Sequence, residues 1–297
     1  MKKVLITGLT GLVGSGLFSF LKDDEKYEIV AICRENSDVS FIKDKCQIEY
    51  GSISNVSFLN GVFIKYKFDM IVHIANKALI VRFAKLAKQF GVKEVVLVSS
   101  TYACSKKHPD NRQLKLENEA ESILKSYDSE YVFLRPTSIF GSRPNGIKDK
   151  NISEFTKWCF KYPLFPLFGR GKAEVCPIWG KDVGLALYII IKNIRTLSGQ
   201  RLICSGDKKR TFKELILLIG GLNNKNIRFL YIPGWVGRFV INTLYFLSFK
   251  RFDKREQIDR LLEDKYFESS KELVNLGFVT HSFEKAYLVY NVSKKVI

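Results

Sequence analysis

Histidine is nearly absent. The chain has only His73, His108 and His281, and they lie far apart, so no cluster with metal-ligand spacing is present and no metal site is expected. The six cysteines, Cys33, Cys46, Cys104, Cys159, Cys176 and Cys204, include no Cys-x-x-Cys pair, and several sit inside apolar runs. That excludes a zinc ribbon and a disulfide frame, and fits buried thiols in a reducing cytosol. No apolar run reaches the roughly 18–20 residues of a spanning helix. The nearest, Trp235 to Phe249, is broken by Arg238 and Asn242. No signal peptide precedes the first strand, so a cytoplasmic location is expected. Low-complexity tracts and internal repeats are missing, and 7 Pro among 297 residues argue against long disordered linkers.

Acid is also in short supply. Asp and Glu number 30 against 48 Lys and Arg, a net charge of +18. The excess draws the chain towards anionic partners: phosphorylated small molecules, polyanions or an anionic membrane surface. No nucleic-acid recognition motif accompanies it, so no nucleic-acid partner is expected. The basic cluster Lys250, Arg251, Lys254 and Arg255 follows the apolar stretch. Peripheral membrane contact through Trp235–Arg255 therefore stands beside core packing as a reading of that segment. The sequence sets no oligomeric state.

What is present is concentrated at the N-terminus. Val4, Leu5 and Ile6 suit a buried parallel strand, and residues from Leu12 to Leu21 have apolar side chains at helical spacing. Between them stand Gly8, Gly11 and Gly14. Strand, glycine turn and helix together make a pyrophosphate cradle: glycine allows a tight turn and close backbone approach, and the helix N-terminus offers N–H groups and a favourable dipole. Thr10, Leu12 and Val13 complete that cradle. A second strand, Glu28–Cys33, ends at Arg34, where dinucleotide folds read the adenosine ribose. A guanidinium there suits a 2′-phosphate and favours NADP(H), with Glu35 or Asp38 as the acid that would read NAD(H) instead.

Further strands are expected at Gln47–Tyr50, Asp69–Asn76, Glu94–Ser99, Tyr131–Pro136 and Arg201–Cys204, with helices at about 56–65 and 79–90. The Gly-x-x-Gly-x-x-Gly turn, Asp69-Met-Ile-Val-His-Ile-Ala-Asn76, Ser99-Ser-Thr101 and Arg135-Pro-Thr-Ser-Ile-Phe-Gly141 resemble the extended and atypical short-chain dehydrogenase/reductase superfamily, in its branch of NAD-dependent epimerase/dehydratases and nucleoside-diphosphate-sugar epimerases. The resemblance covers nearly the whole chain. It implies an α/β, doubly wound parallel-sheet Rossmann fold over residues 1–145, with a returning strand near 201–205. A smaller α+β substrate domain takes the remainder of 146–297.

It also implies site residues. Ser52 and Ile53 would flank the adenine, Ile74, Ala75 and Asn76 would face the dinucleotide, and Ser99, Pro136 and Thr137 would line the nicotinamide side. His73, inside an apolar strand, reads as a structural residue. Thr101, with Ser100 second, would orient the substrate oxygen. The superfamily's proton-transfer pair is Tyr-x-x-x-Lys on the following helix. Lys115 matches the lysine, which would hold the nicotinamide ribose, but Asn111 stands four residues before it and exchanges no proton near neutral pH. Tyr102, Glu119 or water is left to supply the proton. The implied activity is reduction, epimerisation or dehydration of a nucleotide-linked or lipid-linked sugar. The rival is a dinucleotide-binding sensor or assembly subunit without turnover, which Asn111 favours.

Overall fold

The computed structural model describes residues 1–233, 235–236 and 263–292. Thirteen strands occur among them: β1 (Lys2–Thr7), β2 (Tyr27–Cys33), β3 (Gln47–Tyr50), β4 (Met70–His73), β5 (Glu94–Val98), β6 (Glu130–Pro136), β7 (Ile139–Phe140), β8 (Leu164–Phe168), β9 (Glu174–Val175), β10 (Ile178–Trp179), β11 (Gln200–Cys204), β12 (Arg210–Thr211) and β13 (Arg228–Ile232). Seven of them form one parallel sheet in the order β3-β2-β1-β4-β5-β6-β11. The order reverses between β1 and β4, so a crevice opens at the C-terminal ends of those two strands. This is a Rossmann-like doubly wound fold.

The apolar strand residues are buried on both faces, as a sheet covered by helices requires. Helices α1 (Leu12–Leu21), α2 (Val56–Lys65), α3 (Ile80–Phe90) and α4 (Arg112–Lys125) follow β1, β3, β4 and β5. One core joins Val4, Ile6, Val72, Val96 and Leu134 to α1 and to α6 (Gly180–Lys192). The other joins Leu5, Ile71, Val95 and Phe133 to α2, α3 and α4. Alternate residues of one strand thus feed opposite layers.

Helix α6 lies within the span expected for the second domain, yet it packs on α1. Small residues set that contact. A Cβ on Gly184 would come within 2.3 Å of the Gly16 carbonyl carbon, and one on Gly16 within 2.8 Å of the Gly180 oxygen. Both α6 and β11 therefore rejoin the sheet layer. Asp182 is buried in the first turn of this helix. Its carboxylate accepts from the His281 amide at 2.9 Å and pairs with His281 Nδ1 at 2.6 Å, and burial raises its pKa.

A third core lies beyond the sheet. It gathers Ile152 and Cys159 of α5 (Asn151–Lys161), Phe165 of β8, Leu215, Ile216 and Ile219 of α7 (Phe212–Leu222), and Phe283 and Tyr287. Helix α7 begins at a capped N-terminus. Thr211 and Glu214 form a reciprocal capping box. The Trp235–Arg255 stretch, apart from Trp235 and Val236, lies outside the described residues.

All six cysteines are free, and Cys33, Cys159, Cys176 and Cys204 are buried. Burial pushes the Cys33 and Cys159 thiols up to about 11. They are packing residues, not nucleophiles.

Candidate active site

The site begins at the turn between β1 and α1. Gly8 has φ +79°, and a Cβ there would sit 2.8 Å from Ala75 Cα after β4. A Cβ on Gly14 would lie 2.2 Å from the Gly8 oxygen, inside any real contact. Gly11 closes the turn by donating its amide to that oxygen at 2.9 Å, and it is the N-cap of α1 without a side-chain cap bond. The first turn of α1 carries no acid, and Thr10, Gly11 and Leu12 are only partly buried. The helix amides are left to an anion, which is the environment a pyrophosphate needs. Val13 and Gly14 are buried behind them.

Behind this turn a buried bridge fixes the ends of β1 and β4. His73 Nε2 lies 2.8 Å from the Asn76 carbonyl, so that nitrogen carries the proton. Nδ1 then accepts from the Thr7 hydroxyl at 2.7 Å, and the Thr7 oxygen accepts from the Ile74 amide at 3.2 Å. The ring stacks on Phe83, with centroids 4.0 Å apart. Burial lowers the His73 pKa to about 4, which keeps the imidazole neutral. The residue is structural: it aims the backbone of Ile74, Ala75 and Asn76 at the crevice, where Ala75 and Asn76 are exposed.

Arg34 directly follows β2 and is exposed, with no partner for its guanidinium among the described residues. Ser52 is exposed after β3, and its Oγ accepts from the Ser54 amide. Ile53 packs against the core below it, and its carbonyl accepts from Arg82 Nη1 at 3.1 Å.

The other side of the crevice is a cavity of about 470 Å³ beyond the C-terminal ends of β5 and β6. Ser100, Thr101, Tyr102 and Thr137 line it from the sheet side, and Phe155, Phe212, Glu263 and Lys265 from the C-terminal side. Thr101 donates to the Pro136 carbonyl at 3.3 Å, and Thr137 to the Cys176 carbonyl at 2.6 Å. Ser100 Oγ accepts from the Tyr102 amide. Glu263 ties the two sides together, accepting from Ser105 Oγ at 2.7 Å and from the Lys107 amide at 3.2 Å.

Helix α4 departs most from what its sequence suggests. Asn111 is its N-cap. Its Oδ1 accepts from the Leu114 amide at 3.0 Å and its Nδ2 donates to the His108 carbonyl at 2.9 Å, so both polar ends are committed to starting the helix. The inward face is Gln113, Glu117, Ala120 and Leu124. Lys115 sits about 200° round the helix from Gln113 and is exposed to solvent. Glu119 is also exposed, 3.5 Å from Lys85. Neither joins Thr101 at the cavity.

What the inward face meets is a buried polar network that sequence reasoning missed. Ser99 donates to Glu117 and accepts from Gln113 Nε2 at 2.9 Å, so its hydroxyl faces α4 and not the cavity. Arg135 binds the fully buried Glu117 through both Nε and Nη2, and its Nη1 donates to Cys104 Sγ at 3.2 Å. Arg201 reaches the same patch, donating to Asn118 and Glu121, each at 2.7 Å. The signal was available: 113, 117, 120 and 124 follow the helical period of a buried face.

With this geometry in view, known proteins give the context. The model of the NAD dependent epimerase/dehydratase family matches residues 4–203, which is 200 of the 297 residues. The chain belongs to that family. Protein FMP52, mitochondrial, of Kluyveromyces lactis is 28% identical over 204 residues, covering 61% of this chain and 85% of its own. The fold is shared with UDP-glucose 4-epimerase of Thermotoga maritima, solved with UDP-glucose, at a TM-score of 0.73 and 15% identity over 99% of this chain and 100% of that one. It is shared equally with UDP-glucuronic acid 4-epimerase of Bacillus cereus, solved with UDP-glucuronic acid and NAD, at 0.71 and 15% over 99% and 100%. The epimerase/dehydratase family brings a nicotinamide dinucleotide as its cofactor class, and the turn at Gly8–Gly14 has the shape and open amides to hold the pyrophosphate of one.

Among the described residues there is no metal-ligating cluster and no helix long and apolar enough to cross a membrane.

Proposed function

We propose that the chain binds NADP(H) or NAD(H) over the Gly8–Gly14 turn and acts on a nucleotide-linked sugar seated in the cavity beside it. The observation that carries this reading is the position of that cavity. It adjoins the crevice at the strand ends and is walled by hydroxyls on one side and by Phe155 and Phe212 on the other. A bound nicotinamide ring supplies hydride transfer. The chain's own residues orient the sugar and handle its proton: Thr101 and Ser100 hydrogen-bond the reacting oxygen, and Tyr102, which lines the same cavity, is the proton-exchanging group. The net positive charge attracts the substrate's pyrophosphate. Arg34 gives NADP(H) the preference, because an exposed guanidinium beside the ribose position matches a 2′-phosphate.

Fluorescence titration with NADPH and NADH tests the cofactor. The expected result is tighter NADPH binding, with the preference reduced about tenfold or more in Arg34→Ala. An unchanged preference removes the phosphate argument. Reduction or epimerisation across a panel of keto-sugar and UDP-sugar nucleotides tests the reaction, and Tyr102→Phe is expected to remove about 10²–10⁴ of the rate.

One observation favours a second reading, binding without turnover. Asn111 is held in the helix cap, the inward site four residues before Glu117 is Gln113, and Lys115 points to solvent. Tight cofactor binding with no turnover on the whole panel would favour the sensor or assembly role instead.

A further inference from the structure

Away from the active site, the outer face of the β8–β13 pair is apolar and uncovered among the described residues. The pairing register sets Leu164 opposite Arg228 and Pro166 opposite Leu230. The inner side chains Phe165 and Leu167 are buried, while Leu164 and Leu230 are 45% and 51% exposed. Trp158 continues the patch, donating its indole N–H to the Leu164 carbonyl at 2.9 Å and lying 5.0 Å from the Tyr162 ring. Trp235, just past β13, is 71% exposed.

The charge around this patch is mostly positive. Residues 155–173 contain Lys157, Lys161, Arg170 and Lys172 and no Asp or Glu. Residues 215–236 contain Lys225 and Arg228 and again no acid. Two of these cations lie over aromatic rings. Lys161 Nζ is 5.2 Å from the Tyr162 centroid and Lys225 Nζ 5.8 Å from that of Phe160. None of Lys161, Lys225 and Arg228 has a carboxylate partner among the described residues. Lys157 does, at Glu154.

We infer that this face docks on an anionic lipid surface. Tryptophan and tyrosine prefer the headgroup level, where a ring has one apolar and one wet side. Leucine side chains beside them gain from leaving water, and each nearby Lys or Arg adds attraction to anionic headgroups. A protein partner of ordinary composition would place some acid or hydrogen-bonding complement in register with the cations. A bilayer needs only apolar depth and diffuse negative charge, and this patch offers the match to both. Docked there, the chain would work on substrate at the membrane surface.

The test is flotation of the full chain with vesicles of phosphatidylcholine alone or with about a quarter phosphatidylglycerol. Flotation with the anionic vesicles is expected, weakening as salt rises and at least about tenfold poorer on phosphatidylcholine alone. The double variant Leu164→Glu/Leu230→Glu should lose at least about tenfold in affinity, and Lys161→Glu/Arg228→Glu should lose the preference for anionic lipid. These side chains are exposed, so unchanged circular dichroism and thermal melting are the expected checks that the variants fold. Absence of binding to anionic vesicles, or binding untouched by both variants, overturns the inference. So does light scattering that shows a dimer broken by Leu164→Glu/Leu230→Glu when vesicles are not bound, since a second copy would then be the occupant.

Discussion

The turn from β1 into α1 and the turn from β5 into α4 are two halves of one crevice built by different rules. In the first, position is fixed by sterics. Gly8 and Gly14 stand where any Cβ would meet backbone, at 2.8 Å and 2.2 Å. In the second, position is fixed by polar pairing. Gln113 and Glu117 face inward because Ser99 and Arg135 wait there, and Asn111 turns into a cap. A steric rule leaves a spacing that survives in sequence. A pairing rule depends on partners far away in the chain, so neighbouring polar residues are equally good candidates until the helix is built.

The strongest way to break the comparison is to remove the pairing. Glu117→Ala leaves Arg135 as a buried charge without its carboxylate, with only Cys104 still bonded to it. The expected destabilisation is about 3–5 kcal/mol, read as a shift in the denaturant midpoint. A loss below about 1 kcal/mol would mean that water reaches Arg135 and that the network does not set the helix register.

The bridge between Thr7 and His73 gives the first half its own sensitivity. The folded-state pKa of His73 is lowered from 6.5 to about 4. The unfolded chain therefore takes up a proton that the folded chain refuses. The contribution is fully present above pH 6.5 and is lost as pH falls towards 4, at about 1.4 kcal/mol per pH unit and about 3 kcal/mol in all. Denaturation series at several pH values check this, and His73→Asn should flatten the slope over that window.

Gly14→Ala probes the steric rule directly. The added methyl must displace the Gly8 oxygen or the Leu9 backbone. About 1–3 kcal/mol of stability should go. Dinucleotide affinity should fall by about tenfold or more, because the same backbone carries the amides that face the pyrophosphate. Normal affinity with lowered stability would separate the turn's folding role from its binding role.

These contrasts explain what was legible in the sequence. The strands were readable because a doubly covered sheet needs unbroken apolar runs, and Met70–Val72 and Val95–Val98 are such runs. Thr211 stands just before an apolar helical pattern, where a hydroxyl N-cap is legible in sequence. The cavity wall at Phe155, Phe212 and Glu263 was not readable, since it assembles from three segments separated by 57 and 51 residues. The inward face of α4 lay between. Its period was present, but the segment Asn111–Glu119 offers two acids and a lysine at competing spacings, and only Arg135 on β6 decides between them.

The smallest expected effect is the sharpest comparison. Lys115→Ala should change dinucleotide affinity by no more than about twofold, since the side chain lies on the solvent face of α4, as an ordinary surface substitution would. Gln113→Ala at the inward position removes the donor to Ser99 and should cost about 1 kcal/mol of stability. The two residues are neighbours in sequence and opposite on the helix, so the pair separates register from composition. A tenfold loss of affinity in Lys115→Ala would require α4 to rotate when the dinucleotide binds. That rotation would have to break the Asn111 cap and the Glu117–Arg135 pair together, so the Gln113 and Glu117 variants should then bind the dinucleotide more tightly than the parent chain.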